Sequence, residues 1–229
     1  MIIRVGTLNM ASGLQPDLDL LSYFLQSQQL DFLALQEVDE ETQRFYRRTT
    51  EVIGQKLAFN HYFSESMPFL KGSYGISLLS KWQIRDPMTQ FFSISGDEPR
   101  LFQSVRLVCE KRQILMMNTH LSYENPDIRV AQVKEMNEFI SRAKLPLIVA
   151  GDFNTDQDIA EWEGFSLDLN KVNGWADDWV ATFMGQDANM RTMAIDNILF
   201  SSEFKLNKRQ IIPTDLSDHA LLIAEFDCD

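Results

Sequence analysis

Phe59–Asn118 reads FNHYFSESMPFLKGSYGISLLSKWQIRDPMTQFFSISGDEPRLFQSVRLVCEKRQILMMN. The runs 59–63, 74–80, 83–92, 101–108 and 112–118 are rich in β-branched, aromatic and aliphatic residues, which is strand character. Pro68, Gly72, Pro87, Gly96-Asp97-Glu98-Pro99 and the turn Glu110-Lys111 punctuate them. So long a stretch without helical period is not a simple alternation of strands and helices. Before it, Ile2–Leu8 reads as a buried strand, 17–30 as a helix with Pro16 near its start, and 31–36 as a second strand. Residues 40–57 read as a polar amphipathic helix whose Arg44, Arg47 and Arg48 lie on a solvated face.

After it, 126–143 reads as a helix marked by Val130, Val133, Met136 and Ile140, and Leu147–Ala150 as a short buried strand. Residues 155–192 are irregular and acidic and hold three of the four tryptophans. Strands are expected at 194–200, 204–212 and 220–226. Helices at both ends of a strand-rich middle predict an α/β protein with two packed sheets and outer helices. No repeat, low-complexity run or linker interrupts the chain, so one domain over 1–229 is expected.

The chain has 229 residues, 45% of them hydrophobic and 24% charged. About 70% of the unfolded surface is buried at this size, so a core needs no disulfide. Lys and Arg number 21 against 33 Asp and Glu, a net charge of −12. That excess opposes a broad grip on nucleic acid, which only a local basic patch would override. No apolar run approaches the ~18 residues of a membrane helix, so no stable membrane insertion is expected. Cys109 and Cys228 form no metal motif, and the N-terminus has no secretory pattern, which together favour a reducing cytoplasm over a disulfide.

Polar residues repeatedly follow or precede the apolar strands. Asn9 follows Val5-Gly6-Thr7-Leu8, and Gln36-Glu37 follows 31–35. Asn118-Thr119-His120-Leu121 follows 114–117, and Gly151-Asp152-Phe153-Asn154 follows 147–150. Asp196 lies in the strand 194–200, and Ser217-Asp218-His219-Ala220 precedes 221–224. If these ends converge, they gather four carboxylates, amides and two imidazoles. Crowded carboxylates do not all stay ionised without a cation. An oxygen set of Asp, Glu and Asn suits Mg²⁺ or Mn²⁺. Three histidines without a cysteine motif do not make a zinc cage. An imidazole beside a carboxylate supplies acid–base chemistry near neutrality, and with a hard metal the set describes phosphate-ester hydrolysis. Nucleophile-elbow, Walker A and dinucleotide fingerprints are absent from the sequence.

The ordered series Thr7-Leu8-Asn9, Leu35-Gln36-Glu37-Val38, Thr119-His120-Leu121, Gly151-Asp152-Phe153-Asn154, Ile195-Asp196 and Ser217-Asp218-His219 resembles the endonuclease/exonuclease/phosphatase (deoxyribonuclease-I-like) superfamily. The blocks span residues 7 to 219 in the family's order. The resemblance implies a four-layer α/β/β/α sandwich of two mixed sheets with the site at one sheet edge. It implies Mg²⁺ or Mn²⁺ held by Glu37, with Asn9 and Asp218 ligating directly or through water. Asp152 and Asn154 would place the attacking water and the phosphate. His219, oriented by Asp196, would be base or hydrogen-bond donor, and His120 would stabilise phosphoryl charge or assist the leaving group. Glu98-Pro99-Arg100 resembles a further family segment, with Arg100 on the phosphate. Thr-His-Leu with Arg129 and Gln132 looks closer to the sphingomyelinase, deadenylase and bacterial hydrolase branches. Asn197 stands where an aromatic often follows the Asp.

Taken singly, these residues have plainer readings: Asn9 as a turn, Glu37 as a helix N-terminal charge, Asp152 and Asn154 as caps. His61 is assigned to structure, Asp156 and Asp158 to capping a short helix, and Lys205, Lys208 and Arg209 to surface charge. Trp162, Trp175 and Trp179 are expected in the core or, for at least one, facing substrate. The expected activity is a metal-dependent phosphoesterase on a small or lipid-derived mono- or diester. The alternative is a nuclease acting on DNA or RNA.

Overall fold

A computed structural model describes residues 1–110, 112–156, 160–165, 168–188 and 190–228. In chain order the elements begin with β1 (Ile2–Asn9), α1 (Leu18–Ser27), β2 (Phe32–Thr42), β3 (Phe45–Arg48) and α2 (Thr49–Leu57). The strand-rich middle holds β4 (Asn60–Phe69), β5 (Gly72–Ser80), β6 (Ile84–Phe91), β7 (Leu101–Cys109) and β8 (Arg112–His120). Then come α3 (Pro126–Ile140), β9 (Leu147–Asp152), β10 (Leu169–Lys171), β11 (Asp196–Ser201), β12 (Lys205–Ile212) and β13 (Leu221–Asp227).

The strands form two mixed sheets. One has the order β12-β13-β1-β2-β5-β4, with β3 added to β2; the other runs β10-β11-β9-β8-β7-β6. Each contains one parallel pair, β1/β2 and β8/β9, and the remaining pairings are antiparallel. Parallel neighbours need a crossover, which α1 and α3 supply. Asp17 caps α1 by accepting from the amides of Asp19 and Leu20, and Asn125 caps α3 ahead of Pro126.

Three apolar clusters show the layering. Ile3, Val5, Phe32, Ala34, Met116, Ile148, Ile198 and Leu222 fill the space between the sheets. Leu8, Leu33, Leu35 and Leu221 meet Leu21 and Leu25 of α1 and Ile53 of α2 on one outer side. Met117, Val149 and Leu199 meet Val133 and Met136 of α3 on the other. Both faces of the central strands are buried, so their sequences are continuously apolar and only parity tells the faces apart. The four-layer α/β/β/α sandwich is therefore the observed fold. Cys109 and Cys228 lie as thiols in the inter-sheet cluster, where burial pushes Cys109 up to about 12.

Followed along the inward parity, the central strands change character together at one edge. Val5 gives way to Thr7 and Asn9, Ala34 to Gln36, Met116 to Asn118 and His120, and Ala150 to Asp152. The first polar layer joins the sheets. Gln36 Nε2 donates to Asn118 Oδ1 at 2.7 Å, and Asn118 Nδ2 donates to the carbonyls of Leu35 (3.0 Å) and Ser77 (2.9 Å) and to Gln103 Oε1 (3.2 Å). Gln103 in turn donates to Ser64 Oγ at 2.8 Å.

Several expectations are corrected. Residues 40–48 are a strand hairpin: β2 continues to Thr42, turns at 43–44 and returns as β3, and only Thr49–Leu57 is helical. The alternation of Glu40 with buried Asp39 and Thr42 pairs with β5 and β3, and that pairing overrides the helical spacing. Pro68 does not end its strand, because β4 and likewise β6, which contains Pro87, are edge strands where a missing N–H is tolerated. Val130 is exposed; Arg129 and Gln132 join Val133 and Met136 on the buried face of α3. The acidic segment 155–192 contains the short β10. Asp156 accepts from the amides of Arg191 and Thr192, and Asp158 lies outside the described residues.

Replacing Asn118 by Leu strips partners from several buried polar groups at once. At about 1–3 kcal/mol per unsatisfied buried group, the expected loss is roughly 3 kcal/mol or more. Urea unfolding reads it as a lower midpoint at unchanged slope; an unshifted midpoint would deny the layer its structural role.

Candidate active site

The polar ends meet in one pocket of about 410 Å³ lined by Asn9, Glu37, Arg100, His120, Asp152, Asn154, Asp218 and His219. Parallel strands deliver three of them. Asn9 ends β1, His120 ends β8 and Asp152 ends β9, with His120 directly paired to Asp152. Glu37 comes from an irregularity in β2. Leu35 pairs with Ser77 and Val38 with Gly75, so two residues, Gln36 and Glu37, face one on β5. Glu37 accordingly adopts φ 53°, and Asn154 φ 49°. Left-handed backbone at a non-glycine residue costs on the order of 1–3 kcal/mol and is held here by the surrounding structure.

Asp152 is the hub. Its Oδ2 accepts from Asn9 Nδ2 at 3.0 Å and lies 3.5 Å from His120 Nε2 and 3.9 Å from His219 Nε2. Asn9 Nδ2 also donates to Glu37 Oε1 at 3.0 Å, so one amide bridges the two carboxylates. The other oxygen of Asp152, Oδ1, accepts from Asn154 N at 2.9 Å, and Asn154 Nδ2 donates to Leu121 O at 3.0 Å. Burial, then the charge of Asp196, pushes the Asp152 carboxyl up to about 7.

The two imidazoles are held in opposite states. His219 Nδ1 lies 2.7 Å from Asp196 Oδ2, and Asp196 is fully buried behind the pocket rather than lining it. Burial lowers the His219 pKa, but the charge and hydrogen bond of Asp196, with Asp152 and Asp218, outweigh it and raise the value to about 10. His120 Nδ1 lies 2.6 Å from Arg100 Nη1. Guanidinium only donates, so Nδ1 is the acceptor and Nε2 carries the hydrogen. Burial first, then Arg100, pulls the His120 pKa well below its ordinary value. Arg100 is itself buried, is paired to Glu98 at 3.1 Å and has no hydrogen-bond partner on Nε among the described residues. Ser217 Oγ donates to Asn9 O at 2.7 Å and accepts from His219 N at 3.0 Å, which ties the loop before β13 to the end of β1.

Asp152, Asp196 and His219 place ligand-type atoms within 4.8 Å of one another. In that trio Nδ1 and Asp196 already satisfy each other, which is the geometry of an oriented imidazole. The gap that calls for a cation lies instead between Glu37 and Asp152, bridged among the described residues by the Asn9 amide. Half-buried Glu37 and buried Asp152 present carboxylate oxygens there, a hard donor pair that fits a divalent ion, while the Asn9 oxygen accepts from Ala11 N.

Other residues expected at or near the site fall elsewhere. Trp162 is core, 5.2 Å from Phe153 and 5.7 Å from Trp179, and neither lines the pocket. The side chain of Trp175 is outside the described residues. The pocket's aromatic residues are Phe69, Tyr74, Tyr123 and Phe183, with Phe183 5.1 Å from the His219 ring. His61 lies on edge strand β4, outside this pocket. Sequence reading missed Arg44 as a pocket residue, because it took 40–57 for a helix, and it gave Gln36 and Asn118 no role although both stood in the quoted blocks.

The sequence profile described as "Endonuclease/Exonuclease/phosphatase family" matches residues 6–219. The chain belongs to that family, whose members hydrolyse phosphoric esters and generally depend on a divalent metal. Comparison with curated protein sequences gives no match. Among solved structures it is similar to the human Nocturnin catalytic domain with bound sulfate (21% identity, 100% of this chain and 94% of that chain, TM-score 0.78). It is also similar to a Bacteroides thetaiotaomicron mannosyl-6-phosphatase (18%, 98% and 99%, TM-score 0.72) and to humanized D. rerio TDP2 (15%, 99% and 99%, TM-score 0.81). At these identities the likeness is one of fold. No helix among the described residues is long and apolar enough to cross a membrane.

The opposed imidazoles give a test in chelator-treated protein. His219, raised, supports the fold below about 6.5 and loses that support as pH rises through about 10. His120, depressed, contributes above about 6.5 and loses its contribution as pH falls through its lowered pKa. NMR of the ring nitrogens at pH 8 is expected to show His219 protonated and His120 neutral. Two histidines titrating together near the ordinary value would refute this electrostatic picture.

Proposed function

We propose that residues 1–229 act as one unit, a Mg²⁺- or Mn²⁺-dependent phosphoesterase that hydrolyses a small or lipid-derived phosphate mono- or diester. The observation that carries the reading is the pocket itself: it is a half-open hollow of about 410 Å³, and Asp152, His120 and His219 converge within it. Glu37, Asn9 and Asp218 would hold the metal, with Asp152 facing the same point through the Asn9 bridge. When bound, the ion supplies positive charge to the phosphoryl oxygens and lowers the pKa of the attacking water.

The side chains then divide the work. Water oxygen attacks phosphorus, the P–O ester bond breaks, and the leaving oxygen takes up a proton from solvent to depart as an alcohol. Asp152, with its pKa near neutrality, takes the proton of the attacking water, and Asn154 fixes its orientation through the backbone amide. His219, kept protonated by Asp196, acts as donor to the phosphoryl group rather than as base. His120 presents Nε2–H as a neutral donor, and Arg100, with an unpartnered buried Nε, binds phosphate oxygen. We place this chemistry in a reducing cytoplasm, in keeping with two buried thiols.

A panel of phosphate mono- and diesters with Mg²⁺ tests the assignment. Glu37→Ala and His219→Ala are each expected to lower kcat/KM by about 10²–10⁴-fold, the range for loss of a charge-stabilising or proton-transfer group. Chelation is expected to abolish turnover, and added Mg²⁺ or Mn²⁺ to restore it. Undiminished turnover in both variants would overturn the roles of Glu37 and His219. Cleavage of DNA or RNA with affinity falling steeply in salt would establish the nuclease alternative instead.

A further inference from the structure

We propose that Arg44 forms a second anion-binding position in the pocket, distinct from the one that Arg100 and the imidazoles supply to the reacting phosphate. The substrate class is then a small phosphate ester that carries another anionic group. This inference rests on the phosphoesterase reading above and narrows its substrate.

Arg44 sits in the turn between β2 and β3 and lines the pocket with Glu37. Its Nε donates to Asp39 Oδ2 at 2.6 Å and its Nη2 to Asp39 Oδ1 at 2.9 Å. Asp39 is fully buried and also accepts from Thr42 Oγ1 at 2.7 Å, so the carboxylate that aims the guanidinium is itself fixed. The guanidinium carbon lies 4.6 Å from the centroid of the Phe69 ring. A long side chain is thus immobilised on its edge and on its face, and its Nη1 makes no hydrogen bond among the described residues. Immobilised in advance, it loses little further rotamer freedom when an anion arrives, and guanidinium suits carboxylate and phosphate alike.

Its position separates it from the catalytic cations. Arg100 is engaged with His120 and Glu98 beside Asp152, whereas Arg44 belongs to a wall built by Met67, Phe69 and Tyr74 of β4 and β5. Tyr74, which lines the same pocket, is close enough to Glu37, Arg100 and Arg44 to feel the charge of each. One phosphoryl group is fully provided for by Arg100, the imidazoles and the metal ligands. A second oriented cation in the same pocket, with an apolar and aromatic wall around it, suits the far end of a compact molecule with an anionic group at each end. Phe69 and Met67 would cover the carbon skeleton between the two ends.

The test uses α,ω-alkanediol bisphosphates of increasing chain length beside the matching alkyl monophosphates, with the full chain and Mg²⁺. Phosphate release gives turnover, and calorimetry on the Glu37→Ala protein gives binding without hydrolysis. At one chain length the bisphosphate is expected to exceed its monophosphate by about tenfold in kcat/KM and in affinity, beyond the statistical advantage of two ends. Arg44→Met paired with Asp39→Asn, which leaves no unpaired buried carboxylate, is expected to remove most of that ratio. Arg44→Lys is expected to keep part of it. A ratio near one at every length, or one unmoved in the paired variant, overturns the inference. If no ester is turned over at all, the phosphoesterase reading fails, and the binding ratio still decides the role of Arg44.

Discussion

The structure depends on a small amide contact between its two sheets. Gln36 reaches from β2 to Asn118 on β8, and Asn118 reaches back to the carbonyls of Leu35 and Ser77. Those carbonyls flank the irregularity that turns β2 through a left-handed residue at Glu37. A buried carbonyl without a partner is costly, so the irregularity persists because Asn118 satisfies it. The amide that joins the sheets therefore also fixes the acidic residue over the pocket. Apolar packing holds the two layers together, and this contact sets their register at the end where chemistry is proposed.

Beyond that layer the same parity supplies a second, ionisable one. Asp152 on β9 meets Asn9 from the opposite sheet, and Asp196 on the neighbouring β11 meets His219 from the loop before β13. Two carboxylates and two imidazoles this deeply buried do not share one protonation state. Asp196 takes the charge-bearing imidazole, burial and then Arg100 keep the other neutral, and burial with the charge of Asp196 brings the Asp152 carboxyl up to about 7. Each group's state follows from its neighbour rather than from its own identity. The site is an arrangement of differences, and the sheet edges impose them.

Much of this was legible from sequence because it is local. Apolar runs such as Leu147–Ala150, followed by polar residues, reveal where strands end, and the order of the blocks carries the topology. What was not legible depends on distant partners. Nothing near Glu37 is glycine, so its left-handed backbone has no local signature; it is imposed by Asn118, far along the chain. Gln103 looks like any polar residue in a strand until Asn118 and Ser64 are placed beside it. Arg44 was assigned to a helix because Arg44, Arg47 and Arg48 space well on one, while pairing with β5 and β3 draws the segment into sheet. Trp162 is core, with Trp179 packed against it, for a reason that only the aromatic cluster around Phe153 supplies.

The outer strands carry a consequence for crowded solution. A sheet edge exposes unpaired backbone groups that invite strands of another molecule. Here β4 and β6 are interrupted by Pro68 and Pro87 and by breaks in pairing at 65–67 and 85–88, and β10 is only three residues long. The remaining edge, β12, carries exposed Lys205 and Lys208, like charges that oppose pairing with a second copy, while its Arg209 is paired to Asp178 at 2.6 Å. Two margins share one device, proline with broken pairing, and the other two use short length and exposed lysines. Together these features disfavour growth of a strand-rich protein by strand addition.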